Sequence, residues 1–312
     1  MIGKLQAETT SKLHANRRVG VLRFKHNKQR KGLMRIDEEA KIVYVRQSWL
    51  KDMLLCPERS RLSVIQPEFR TTNDSAAIGT AVHAGIEAVL NDSCSLADAH
   101  EVSLARFSEL ETEGVRHTNV EPSTWHRHVV GLTNAWVKDI YPYVPLGGQS
   151  EVKFVAPTGS SVNGYQLWFE GTMDYVTEQG IWDWKTSARK YSSLEKQTQD
   201  VQSSIYTYAG QTLGFIKGDK NLFNFGVMVR TSEPYGQILS VSRTKAHGEF
   251  VIKQAMSAVA YGFAMTDGTG IPTSNRWLIN DQHYLCSERW CPWWSVCKGA
   301  SISEPDNQLE VE

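Results

Sequence analysis

The sequence has no apolar stretch long enough to span a bilayer, which argues against an integral helical membrane protein. Its first residues show no apolar core followed by a small-residue cleavage site, so no secretory signal is read and a cytoplasmic protein is expected. No internal repeat and no long low-complexity segment is found, which sets aside solenoid and fibrous architectures. Cysteine is scarce and odd in number: Cys56, Cys94, Cys286, Cys291 and Cys297 are the five. An odd count in a chain of this expected location argues against a disulfide framework. Acidic residues are nearly missing from residues 1–36, where Glu8 stands alone against ten lysines and arginines, although the whole chain balances at 34 basic and 34 acidic residues. Residues 1–43 are therefore read as a basic arm suited to phosphates, or else as a solvated leader, and residues 301–312 as an acidic tail without aromatics.

What remains is long enough for one large domain or two smaller ones, with the 41% hydrophobic and 22% charged content of an ordinary globular protein. The first segment read as ordered is VYVRQSWLKDMLLCPERSRL. Leu50, Met53 and Leu54 predict a short helix with Ser48 as N-cap, broken near Pro57. SAAIGTAVHAGIEAVL places Ile78, Val82, Ile86 and Val89 on one helical face, and amphipathic helices are predicted near 96–113 and 123–141. The runs EVKFVAP, YQLWFEGTMDYVTE and GIWDWKTS then read as an antiparallel meander. A helix over 193–210, two strands joined through SEPYG, a helix over 243–266 and an irregular tryptophan-rich segment complete residues 44–300. The fold class expected is α/β: helices first, a central mixed sheet, helices after.

GTMDYVTEQGIWDWKTS is the stretch richest in chemistry. Strand residues two apart share a face, so Asp183 and Lys185 project together while Trp182 and Trp184 face the other way, where a helix can cover them. A turn at 178–180 returns the chain and brings Asp174 towards Asp183. Two carboxylates beside a lysine suit Mg²⁺- or Mn²⁺-assisted phosphodiester hydrolysis, in which the metal polarises the phosphate and lysine orients water or offsets charge. A surface ion pair is the plain alternative. His83, four residues after Gly79 and four before Glu87, is a candidate nitrogen ligand that would favour Mn²⁺. Gln202 and Tyr206, four apart on the following helix, could bond the lysine, the metal shell or a phosphate; one polar face of an amphipathic helix is the alternative.

The order G-x-x-x-H (Gly79, His83), G-x-x-D (Gly171, Asp174), D-x-K (Asp183, Lys185) and Q-x-x-x-Y (Gln202, Tyr206) resembles the motif series of RecB-like nucleases in the PD-(D/E)XK superfamily, over roughly residues 44–210. Glu151 resembles the acidic residue that often precedes the G-x-x-D strand. The resemblance implies a restriction-endonuclease-like core and a metal-dependent DNA exonuclease acting mainly on single-stranded ends. It implies metal held by His83, Asp174, Asp183 and the Trp184 carbonyl, with Lys185 assisting water and Gln202 and Tyr206 supporting substrate or lysine. The settings it suggests are recombination, repair, phage DNA metabolism or CRISPR adaptation, with a recombination or adaptation protein as partner. No Walker A sequence is found, so any helicase activity would come from such a partner. Two other readings stand beside it: a catalytically silent DNA-end-binding or assembly module, against which the intact Asp174, Asp183 and Lys185 speak, and a zinc-stabilised RNA-processing nuclease.

Cys286, Cys291 and Cys297 fall within a dozen residues and suggest a metal site one ligand short of four. Cys56 is the natural fourth. Here too the chain resembles iron–sulfur members of the family, including CRISPR-associated and phage exonucleases and AddB-type helicase–nucleases, with one cysteine before the nuclease motifs and three after, and SWLKDMLLCPER is similar to their leading segment. The first gap of the trio is four residues, where a shorter gap is more usual. The resemblance implies a [4Fe-4S] cluster in a subdomain built from both ends of the chain. Zinc held by the trio with His283 or Cys56, or unligated buried thiols, are the alternatives. Cys94 is read as a free thiol. Trp290, Trp293 and Trp294 could shield the cluster or stack on bases.

Overall fold

The computed structural model describes residues 34–69, 72–217, 220–268, 272–273 and 277–298; most of the basic arm and all of the acidic tail lie outside them. Two short strands come first, β1 (Arg35–Asp37) and β2 (Ile42–Val45), too brief to show an alternating period. The aromatic and β-branched runs become β3 (Gln149–Val162), β4 (Tyr165–Thr177), β5 (Gly180–Ser187), β6 (Lys220–Val229) and β7 (Tyr235–Thr244). The meander β3–β4–β5 and the hairpin β6–β7 are antiparallel, as expected. β2 pairs with β4 and β5 with β6 in parallel, so the seven-stranded sheet is mixed, in the order β1-β2-β4-β5-β6-β7 with β3 on the other edge of β4.

Helices cover both faces. On one lie α3 (Asp74–Leu90), α4 (Ala99–Glu113) and α5 (Trp125–Asp139). Ile78, Val82, Ile86 and Val89 are all buried there, as their spacing predicts, over Trp182 and Trp184. Trp136 meets Trp184 edge-on, with ring centroids 5.7 Å apart. On the other face α1 (Gln47–Leu55), α7 (Val201–Thr212) and α8 (Lys245–Met265) bury Leu50, Ile205 and Val259 against Phe223 and Phe225 of β6. Among the described residues no helix is long and apolar enough to cross a membrane.

Two expectations about helix ends are corrected. Ser48 is not the N-cap of α1: the helix starts at Gln47, its N-cap is Arg46, and no side-chain cap bond forms. β2 runs almost directly into α1, and Arg46 donates to Glu170 at 2.9 Å, so strand and ion pair set the start. The break near Pro57 does occur. Cys56 is extended (φ −159°, ψ 102°), and Pro57 opens α2 (Pro57–Ile65), where its missing N–H is not needed. The single helix expected over 193–210 is two, α6 (Ser193–Gln199) and α7. Asp200 between them is extended and caps α7, accepting from the Ser203 amide at 2.7 Å.

Asp74, fully buried at the start of α3, accepts from the amides of Thr118, Asn119 and Val120 at 2.7–2.9 Å. Burial alone would raise its carboxyl; the three amides outweigh that and hold it at about 2. A carboxyl depressed on folding stabilises above its unfolded value and loses that contribution as pH falls through the folded one, here between pH ~4 and ~2, for about 2 kcal/mol. Asp74→Asn is therefore expected to lose about 2 kcal/mol at neutral pH in urea unfolding, with the gap to wild type closing in acid. An equal loss at every pH would assign the effect to packing instead of charge.

Candidate functional site

β4 and β5 pair only from Tyr175–Trp182 to Thr177–Gly180. Past Tyr175 the strands part, and the Asp174 carboxylate accepts the Trp184 amide at 2.8 Å in place of a ladder bond. The fork brings together four groups: Asp174 on β4, Asp183 and Lys185 on β5, and the Trp184 carbonyl between them. Asp183 is fully buried, its Oδ1 accepts from Gln202 Nε2 at 2.6 Å, and its Oδ2 lies 2.5 Å from Lys185 Nζ. The Lys185 ammonium is the direct counter-ion of that oxygen. Burial drives the Asp183 carboxyl upward; Lys185 opposes this and Asp174 adds to it. Burial works against the Lys185 ammonium, but Asp183 and Asp174 outweigh it and the lysine is held charged.

α3 brings His83 to the same fork. Its Nε2 lies 2.7 Å from the Trp184 carbonyl and its Nδ1 3.7 Å from Asp174 Oδ2. Desolvation pushes the imidazole down, so the neutral form is favoured, the form a metal ligand needs. Gly79 lets α3 come close, since a Cβ there would sit 3.1 Å from Thr186 Oγ1 at the end of β5. Gly171 does the same for β4, where a Cβ would press within 2.9 Å of the Phe154 ring. Tyr206 is a core residue by its ring, edge-on to Phe154 with centroids 5.4 Å apart, and burial pushes its phenol up. Glu151 faces Asp174 across the β3–β4 ladder with φ of +50°, and desolvation together with Asp174 and Glu87 pushes its carboxyl up.

Every candidate of the four nuclease motifs thus lies at or beside one fork. Two carboxylates, a carbonyl and an imidazole are a donor set suited to Mg²⁺ or Mn²⁺. Among the described residues no three His, Cys, Asp or Glu side chains form a ready-made single-ion site, so the Trp184 carbonyl would be needed in the set.

Around the fork are groups that sequence spacing did not point to. Lys196 lies 2.9 Å from Asp200 Oδ2 and its ammonium sits 4.5 Å from the centre of the Tyr191 ring. Burial would raise Asp200, but Lys51, Lys196 and the Ser203 amide outweigh it and hold the carboxylate charged. Only Asp200 carried a local signal, an acidic residue three before Ser203 at a helix start.

A second place lies at the far end of α1. Cys56, Cys286, Cys291 and Cys297 line one cavity of about 30 Å³ with Leu55, Leu62 and Trp294. One water needs ~10–15 Å³, so the thiols surround real space. Burial pushes Cys297 up to about 11, with Glu58 and the other three cysteines adding to it. His283 also lines the cavity; Cys94 stands apart, packed against the core under α3 and α4. The C-terminal segment is laced to the α1–α2 junction: Asn280 Nδ2 donates to the Leu55 carbonyl at 2.8 Å, the Glu58 amide to Leu278, and Trp293 Nε1 to Gln66 at 3.0 Å. Trp293 is buried, Trp294 lines the cavity, and Trp290 is exposed. Four cysteines lining one space match the donor number of a [4Fe-4S] cluster, whose binding would need them deprotonated, although no three of them form a ready-made single-ion site.

A family model described as the PD-(D/E)XK nuclease superfamily matches residues 47–298 of the chain. No curated protein matches. Among solved structures, a protein named "Putative exonuclease" from Eubacterium rectale is similar at 14% identity, over 80% of this chain and 88% of its own, with a TM-score of 0.49. Another, named "SSO0001", is similar at 13% identity over 84% and 88% of the two chains, with a TM-score of 0.39.

Proposed function

Because this chain belongs to the PD-(D/E)XK nuclease superfamily, we propose that it is a metal-dependent DNA exonuclease of the RecB-like type that takes single-stranded ends and carries a [4Fe-4S] cluster. The observation that carries the reading is the fork itself: Asp174, Asp183 and Lys185 converge where β4 and β5 part, with Gln202 on Asp183. His83, Asp174, Asp183 and the Trp184 carbonyl would hold Mg²⁺ or Mn²⁺. The ion, when bound, polarises the scissile phosphate and lowers the pKa of a water. Lys185, kept protonated by two carboxylates, orients the attacking water or offsets charge growing on the phosphoryl oxygens. Gln202 fixes the Asp183 carboxylate by one hydrogen bond, and Tyr206, one turn later on α7, would support the substrate or the lysine. Cys56, Cys286, Cys291 and Cys297 would hold the cluster, which closes the fold around the site.

The test uses a labelled single strand and the purified full chain. Digestion from ends is expected with Mn²⁺ or Mg²⁺, and none in a chelator. Digestion that persists in chelator would overturn the metal dependence, and a strand left whole with both metals would overturn the reading in favour of the silent end-binding module. Preference for RNA by a colourless, zinc-loaded protein would favour the RNA-processing alternative.

A further inference from the structure

Before it reaches the fork, β4 buries only one of its faces fully. Leu167, Phe169 and Met173 lie in the core with residues of α7 and α8, while Trp168 and Thr172 on the other face stay half-exposed. Glu170, between those two, is covered by arginines: Arg35 Nε and Arg46 Nε each donate to its carboxylate at 2.9 Å. Strand register sets the residues of this face in rows. Arg35, Tyr44, Trp168 and Pro157 are successive cross-strand partners and form the first row. Arg46 is extended (φ −92°, ψ 146°) and continues β2 past its last pair, Val45 with Phe169, so it stands beside Glu170 in the second. Lys153, exposed on β3, faces Thr172 in the third. Asp174 follows at the fork. Rows two residues apart are about 6.6 Å apart, close to one nucleotide of an extended strand. Across the three rows, Arg35, Arg46 and Lys153 stand against Glu170 alone. Asp37, one row farther out, accepts the Ala40 amide at 2.9 Å, and the acids at the other end, Asp174 and Glu151, lie at the fork. Trp168 stands edge-on to Tyr44, with centroids 6.3 Å apart.

We infer that this face is a track for single-stranded DNA that leads into the fork: Trp168 stacks a base, and Arg46 and Lys153 take nonbridging oxygens of successive backbone phosphates. A strand supplies what the rows ask for, one aromatic ring and then one negative charge per row, and continues to Asp174. Glu170 is a positioning residue. It holds Arg46 through Nε, and the side chain is still 67% exposed, so the guanidinium is fixed before a phosphate arrives. An ion-pair staple between β1, β2 and β4 would account for the arginines on Glu170, but not for Lys153 and Trp168 in register with them. The inference deepens the nuclease reading above and rests on it.

The experiment is a salt titration of binding. Full-chain wild type, Arg46→Gln, Lys153→Gln, Trp168→Ala and Trp168→Phe are titrated against a fluorescent oligothymidylate in chelator, followed by anisotropy, and each is melted. For a single strand, each lost phosphate contact flattens the plot of log affinity against log salt by about 0.7. Arg46→Gln and Lys153→Gln are each expected to flatten it by about that amount, and the two together by about 1.4. Trp168→Ala is expected to bind roughly tenfold more weakly at every salt concentration with the slope kept, and Trp168→Phe to recover most of that loss. Melting should change little: Lys153 is exposed, and Arg46→Gln leaves Arg35 on the buried Glu170. A wild-type slope in either charge variant overturns the inference. So does weaker binding confined to variants that melt lower, which would leave the arginines as a staple between strands. The digestion test judges the nuclease reading separately. Binding with these losses but no digestion keeps the track and turns the protein into the end-binding module, whereas digestion with unchanged slopes removes only the track. No binding and no digestion by wild type removes both.

Discussion

Lys185→Ala is expected to lower metal-dependent digestion of single-stranded DNA by roughly 10²–10³-fold, the usual loss when one preorganised electrostatic stabiliser is removed. The physical ground is the environment of the lysine. Its Nζ lies 2.5 Å from Asp183 and 3.4 Å from the Trp184 carbonyl, at the lip of the fork, so it is charged and aimed where phosphoryl charge would build. The substitution has a second consequence that the experiment must separate. Asp183 is fully buried, and without Lys185 its charge has no near counter-ion. Breaking such a pair from one side costs about 3–5 kcal/mol, whereas neutralising both partners costs far less. The double variant Asp183→Asn with Lys185→Met should therefore melt closer to wild type than Lys185→Ala, yet be just as inactive. Equal turnover in wild type and Lys185→Ala would remove the catalytic assignment. Activity that tracked melting temperature across the variants would reduce the lysine to a structural partner.

The second large effect is expected at the other site. Cys56→Ala should lose the visible absorbance and most of the iron of anaerobically purified protein, and should melt at least roughly 10 °C lower. A cluster joining residue 56 to residues 286–297 closes a loop across most of the domain. By analogy with disulfides such a closure is worth about 5 kcal/mol, and a protein of this size shifts by ~2–4 °C for each kcal/mol. The hydrogen bonds of Asn280, Glu58 and Trp293 across the α1–α2 junction will hold part of the structure without it, so partial unfolding of the C-terminal segment should precede global melting. Full iron and unchanged melting in Cys56→Ala would mean that another group is the fourth ligand. One zinc and no colour in wild type would replace the cluster by the zinc alternative.

The legible parts of the sequence were those whose information is local. Alternation along GIWDWKTS put Asp183 and Lys185 on one face and the two tryptophans on the other, because a strand's period is two whatever it packs against. The spacing of Ile78, Val82, Ile86 and Val89 likewise sufficed to place α3 on the sheet. Local signals were less secure at ends. Ser48 has the chemistry of a cap but lies inside α1, because the preceding strand and the Arg46–Glu170 pair decide where the helix begins. The corner at Asp200 follows the polar run LEKQTQ, which has no glycine or proline to mark a break between α6 and α7.

By itself, then, the sequence determined the α/β class, the pairing of the meander and of the last hairpin, the acid–lysine face of β5 and the clustered cysteines; each rests on neighbours within a few residues. The tertiary structure decided what depends on distant segments meeting. It parts β4 from β5 beyond Tyr175, so that Asp174 takes the Trp184 amide and the fork opens. It brings Cys56 onto the same cavity as Cys286, Cys291 and Cys297. No periodicity encodes such meetings, because they follow from how whole helices pack on the sheet.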